Sequence, residues 1–275
     1  ALGKDPNAED MPLWIAPDKK VDLPKMEACM RDHYEGTPLS LDKDIAQGIW
    51  DSPYRPTPLK FEVDGKQYFN ERPISTQQTG FSYIAQLRSW LPREIGGILW
   101  FGNDDGNMVA YVPIYCSNTE RAECFNTPGA DAVTFSDKNA FWVCNWVSNM
   151  VYPRYSQLFP ALKEVRDSLD NAFLAAQKGV EAKAEALYAT DKAAAVKYLN
   201  DYSIQKSNEM ITRWRQLAIH LIVKFNDMTV KPEKDGKFLR TSTGLGERVK
   251  RTGYSDYFKR ELVKQTGDKF AVPNK

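Results

Sequence analysis

The stretch from Glu71 to Cys124 constrains the fold most, because it asks for three extended segments in close succession. Phe81 to Trp90 sets β-branched and aromatic residues among polar ones. Gly97 to Gly102 is a short apolar run, and Met108 to Cys116 a longer one. Leu91-Pro92-Arg93-Glu94 connects the first pair. Asn103-Asp104-Asp105-Gly106-Asn107 is a turn cluster of hairpin length, whose Asp-Gly step suits positive φ. The pattern predicts an antiparallel meander. Its second and third strands are apolar at nearly every position, more than a half-wet sheet needs, so cover is expected on both faces.

Of the 275 residues, 42% are hydrophobic and 12% aromatic, enough for a sizeable core in one large domain or two. Thirty-seven basic against thirty-six acidic side chains leave a formal charge of +1, so no global field favours nucleic acid or an acidic membrane. No apolar run approaches the ~18 residues of a spanning helix. Cys116 and Cys124 lie at the two ends of a polar loop, where a bridge and a reduced pair both fit, whereas Cys29 and Cys144 sit in apolar helical patterns as small core residues. His33 and His220, the two histidines, are not at ligand spacing from any cysteine, so no metal or other cofactor is expected.

Residues 1–10 are small and charged, and Met11 to Pro17 is an extended apolar segment between prolines. Pro24 to Tyr34 reads as a short helix stopped by Gly36. Its His33 is read as structural rather than as a base. Leu39 to Pro58 is a long loop carrying Trp50 and Tyr54, able to wall a cleft. Phe61 to Phe69 is a hairpin about Asp64-Gly65. Ser136-Asp137 offers a cap for a helix from Asn139 to Val151, apolar almost all round. Its polar residues Asn145, Ser148 and Asn149, with Tyr152, share one face and either hydrogen-bond inside the core, the favoured reading, or meet a polar site. Pro153 ends that helix, and Pro160 starts the next, which carries Leu162, Val165, Leu169 and Phe173 as a stripe towards Ala189. A second long helix restarts at Thr190 or Asp191 with a stripe from Met210 to Phe225 that includes Ile222, giving an antiparallel helical hairpin. Lys231 to Lys275 holds twelve Lys/Arg against six Asp/Glu; without a nucleic-acid motif it reads as a C-terminal wrap.

Several runs carry a resemblance: MRDHYEGTPLSLDKDI, RPISTQQTGFSYIAQLR, LPREIGGILWFGNDDGNM, PIYC and FWVCNWVSNMVYPRYSQLFPALKEVRDSLDNAF. From about Leu13 to Phe173 the chain resembles the C-terminal half of the cysteine dipeptidase family of N-terminal-nucleophile hydrolases. The resemblance implies one sheet of a helix–sheet–sheet–helix sandwich, and acyl-enzyme hydrolysis of dipeptides or short peptides. The family's nucleophile is a cysteine at the start of the mature chain. Residue 1 here is Ala1, and the first cysteine, Cys29, lies in a helical pattern. The expectation is a carboxyl-terminal piece with no catalytic residue of its own, partnered by an upstream half that carries the cysteine.

On the substrate side the candidates are Arg72, Ser75, Thr76 and Gln77 before a core strand, and Asn103 and Asp104 in the turn beside Asp105 and Asn107. Arg72 suits a substrate carboxylate bidentately. It suits equally a salt bridge to Glu71 or an aspartate. The fold is expected to be α+β: a mostly antiparallel sheet from Phe61 to Cys116 covered by helices, then the long hairpin. The divisions are residues 1–135, 136–230 and 231–275. An oligomer is compatible with this plan, and a periplasmic or secreted setting is favoured. A non-catalytic, envelope-associated interaction module is the alternative.

Overall fold

A computed structural model describes residues 12–70 and 72–273; the expectations for residues 1–11 and for Glu71 lie outside them. Asp22 caps the first helix, α1 (Leu23–Met30), accepting the Lys25 N–H at 2.9 Å, with Pro24 in the first turn. This helix ends before Tyr34. The Asp32 carboxylate takes the Tyr34 N–H at 2.5 Å and Tyr34 adopts a φ of 63°, so a tight turn replaces the last helical residues. The hairpin of β1 (Lys60–Val63) and β2 (Lys66–Phe69) turns at Asp64-Gly65, both at positive φ. It is a two-stranded sheet of its own with every residue exposed, so the main sheet starts at Phe81 and not at Phe61.

That sheet consists of β3 (Phe81–Leu87), β4 (Gly97–Asn103) and β5 (Val112–Tyr115), with the one-turn helix α2 (Arg93–Gly96) in the first connection. The order is β3-β4-β5 and both pairings are antiparallel, with Tyr83 opposite Phe101 and Phe101 opposite Val112. β3 stops short of Trp90. Arg88 turns inward instead, donating to the Ile95 and Gly96 carbonyls at 3.2 and 3.3 Å and pairing with Glu181.

The connection from β4 to β5 is not the tight turn expected, and Met108 to Tyr111 are not in the strand. Arg31 donates to the Gly106 and Val109 carbonyls at 3.0 and 3.2 Å and to Asp170 at 2.7 Å, pinning a 3-10 turn over Gly106–Met108. The left-handed residue is Asp104, at φ 74°. Gly106 is required by close approach: a Cβ there would lie 2.7 Å from the Tyr111 hydroxyl.

One face of the sheet is buried through Ile84, Ile98, Trp100 and Tyr115. The other is open along β3, with Phe81, Tyr83 and Leu87 exposed at 60%, 53% and 75%, whereas on β4 and β5 Leu99, Phe101 and Ile114 are half-buried and Val112 is buried. The second and third strands thus have cover on both faces, as expected, and only β3 leaves one face open.

Three helices cover the buried face. Asn139, not Ser136-Asp137, caps α3 (Ala140–Val151), accepting the Trp142 N–H at 3.3 Å. α4 (Tyr155–Tyr188) starts five residues before Pro160, which lies inside it. Pro160 and Ser156 are both exposed, so the carbonyl deprived of a partner can be hydrated. Asp191 caps α5 (Lys192–Phe225), accepting the Ala194 N–H at 3.0 Å, and the two long helices pack as the expected hairpin. Leu162, Leu169, Phe173, Met210, Trp214 and Leu221 are buried in it; Ile222 is exposed.

β6 (Thr229–Val230) pairs with β9 (Lys250–Arg251), and β7 (Glu233–Lys234) with β8 (Lys237–Phe238). This segment holds to the end of α5, through Lys231 N–H on the Lys224 carbonyl at 2.9 Å and Phe238 stacked on His220 at 5.5 Å. No residue of α6 (Asp256–Thr266) is buried. All four cysteines are free thiols, Cys116 exposed and Cys124 buried, so the bridged alternative is not realised. Burial pushes the Cys124 thiol up to about 11.

Candidate functional site

The end of β4 carries two adjacent carboxylates, Asp104 and Asp105, and both are fully enclosed. Burying a charge is costly unless donors surround it, and donors converge here from four stretches of chain. Asp105 accepts from the Tyr54 hydroxyl at 2.5 Å, the Asn107 N–H at 3.2 Å, the Tyr152 hydroxyl at 3.5 Å and the Ser75 hydroxyl. Asp104 accepts from Ser148 Oγ at 2.5 Å and Asn145 Nδ2 at 3.3 Å, both on α3. Asn107 closes the cluster. It donates to the Tyr155 hydroxyl at 3.1 Å, and its carbonyl and side-chain oxygens both accept from Arg166 Nη1 at 2.7 Å.

Of the substrate-side candidates, Ser75 and Asp104 belong to this cluster, together with the Asp105 and Asn107 named beside them. Gln77 borders it, with Nε2 donating to the Arg55 carbonyl, and Thr76 hydrogen-bonds Gln77 at 3.2 Å. Arg72 is exposed, its carbonyl accepting from Tyr34 Oη at 2.9 Å and its guanidinium making no ion pair among the described residues. Asn103 Oδ1 is buried with no partner among them. Asp104 itself is enclosed, so it orients Asn145 and Ser148 rather than presenting its own oxygens.

Tyr155 and Arg166 escaped the sequence reading, and Tyr54 was marked only as part of a cleft-walling loop, since nothing local joins them as one site. The polar face of α3 was the available signal. Asn145, Ser148 and Tyr152 bond this pair of acids, in line with the reading that they serve the core, whereas Asn149 is exposed and bonds only Asn145. His33 is fully buried, with Nδ1 3.1 Å from Glu35 Oε1 and its ring edge on Tyr54 at 4.8 Å. Burial alone would raise the Glu35 carboxyl, but hydrogen bonds from His33 outweigh it and hold it at about 2.

Burial, and then the neighbouring Asp105, raise the Asp104 carboxyl from 3.8 to about 7, against the opposing bonds from Ser148 and Asn145. A carboxyl that binds its proton more tightly folded than unfolded contributes stability in full below about pH 4, lost as the pH rises to 7. The loss is about 4 kcal/mol. Asp104→Asn cannot ionise. Urea unfolding should therefore show the wild type declining between pH 4 and 8 relative to Asp104→Asn. Glu27, also raised to about 7 by burial and by Asp170, leaves the variant a residual decline. Parallel profiles would contradict the assignment.

Among the described residues no helix is long and apolar enough to cross a membrane, and no group of three His, Cys, Asp or Glu is placed to hold a metal ion. The chain is α+β, with a buried acid pair at the rim of its three-stranded sheet. The profile of Peptidase family C69 matches residues 1–168, more than half of the chain, and the chain belongs to that family. It is also similar to a protein named probable dipeptidase B of Streptococcus pyogenes serotype M1, at 23% identity over 219 residues. That match covers 80% of this chain and 41% of the relative, so the chain spans about two fifths of the length of the curated relative it matches.

Proposed function

We propose that this chain is the C-terminal portion of a cysteine dipeptidase, forming one sheet, its helical cover and the substrate-side wall of the site. The nucleophilic cysteine sits on an upstream segment docked against the open sheet face. The observation that carries the reading is the position of the Asp104–Asp105 cluster: it follows directly on Asn103, whose partner Phe81 begins the open face. In the reaction the upstream thiol adds to the scissile carbonyl while the α-amine of that cysteine takes the thiol proton and later returns it to the leaving amine. The amine product leaves with a proton, and water then hydrolyses the thioester. Asp105 fixes the Tyr54, Tyr152 and Ser75 hydroxyls, Asp104 fixes Asn145, and Arg72, Thr76 and Gln77 at the rim meet the peptide's polar ends.

Inactivation of the full-length enzyme by iodoacetamide tests the assignment. Peptide mapping should place the inactivating label on a cysteine upstream of Ala1. Inactivation that tracks modification of Cys29, or its loss on Cys29→Ser, would overturn the reading.

A further inference from the structure

Beside Asn145, on the face of α3 that adjoins the one meeting the buried acids, lies a cavity of about 280 Å3 lined by Phe135, Trp142, Asn145, Trp146 and Asn149. Its rings are ordered against one another: Phe135 meets Trp142 edge-on at 5.8 Å and Trp146 at 6.3 Å. Trp142 Nε1 donates to the Asp131 carbonyl at 2.8 Å, tying the loop that carries Phe135 to the helix. The polar end is organised too. Asn149 Nδ2 donates to Asn145 Oδ1 at 3.1 Å, and Asn145 Nδ2 donates to Asp104 at 3.3 Å, so one file of amides runs from the cavity to the buried acid.

A core does not need this arrangement. Phe135 is exposed and Trp142 and Trp146 are partly so, which leaves three aromatic surfaces facing a space that nothing in the described chain fills. Pockets for whole small molecules run from about 300 Å3 upwards, and this one holds a single side chain. Its walls suit a flat or branched apolar group, since aromatic faces pair edge-on or offset with rings at little entropic cost.

We infer that the Phe135–Trp142–Trp146 cavity is the subsite for an aromatic or large aliphatic side chain of the substrate, with Asn145 joining it to the Asp104 cluster. This rests on the peptidase reading above. It adds that the enzyme prefers bulky apolar residues at one position of the peptide, and that Phe135 and Trp146 set the preference.

The test is kcat/KM of the full-length enzyme for Phe- or Leu-containing dipeptides against those built of Gly and Ala. Phe135→Ala and Trp146→Ala should each lower the bulky-substrate value by about 10-fold or more, leaving the small dipeptides within about twofold. Phe135 is exposed and makes no hydrogen bond among those described, so its variant folds even if that of Trp146 does not. Equal losses on both substrate sets, or none, would overturn the subsite. If the wild type hydrolyses no dipeptide, the peptidase reading fails separately and calorimetry with the same dipeptides decides. A Phe dipeptide should then bind more tightly than Ala-Ala, with the difference removed by Phe135→Ala; equal binding would overturn the proposal.

Discussion

Asp105→Ala should destabilise the protein by about 3–5 kcal/mol, the scale on which breaking a buried charged network is felt. The side chain is fully enclosed, and its removal strands the Tyr54, Ser75 and Tyr152 hydroxyls and the Asn107 N–H in the interior. Each buried donor left unmatched costs about 1–3 kcal/mol, while the lost methylene and carboxyl leave a void that water fills only in part. Asp105→Asn keeps the volume and one acceptor oxygen, so it should fall between the alanine variant and the wild type. Urea unfolding at pH 7 reads the series directly. An alanine variant as stable as the wild type would mean that these donors find other partners and that the cluster does not hold the site together.

The second large effect lies on the open sheet face. Phe81 and Tyr83 alternate with the buried Ser82 and Ile84, so their substitution changes the surface and leaves the core in place. Phe81→Lys with Tyr83→Lys should shift the stability of this chain by less than about 1 kcal/mol, the usual result for surface positions taken two at a time. On the proposed reading, this face also docks the upstream segment. Two aromatic side chains contribute about 1.5–3 kcal/mol each when buried, so replacing them with charges should weaken association by about 100-fold or more. Sedimentation of the two separately expressed segments measures this. Unchanged association would move the interface away from the sheet.

The elements that sequence revealed are those fixed by local patterning. β4 and the helical hairpin were legible because continuous apolar runs and three- and four-residue spacing survive any tertiary context. The ends were less so. Arg88 closes β3 by reaching carbonyls seven and eight residues on, and nothing in its neighbours announces that turn. Pro160 looked like a helix start because proline favours the first turn, yet an exposed position lets a helix carry it further in. The connection after β4 read as a tight turn from its Asp-Gly step, and was opened by Arg31, Arg166 and Asp170 from two distant helices.

The candidate site was half legible for the same reason. Ser75 and Asp104 stand in a polar run between apolar strands and draw attention by themselves. Tyr54 is 51 residues from Asp105, and Ser148 is 44 from Asp104, so their roles exist only once the chain has folded. The polar stripe on α3 was the accessible clue, since an otherwise apolar helix keeps buried hydroxyls and amides only where they have partners.

On the proposed reading, this chain completes a peptidase whose nucleophile lies on an upstream segment, continuous with it or docked on it. Mixing the purified chain with the separately produced upstream segment, and following hydrolysis of a dipeptide, tests it most directly. The account predicts a tight complex, turnover by the mixture, and none by this chain alone. Turnover by this chain alone, or a chain that stays monomeric with no affinity for the upstream segment, would contradict it.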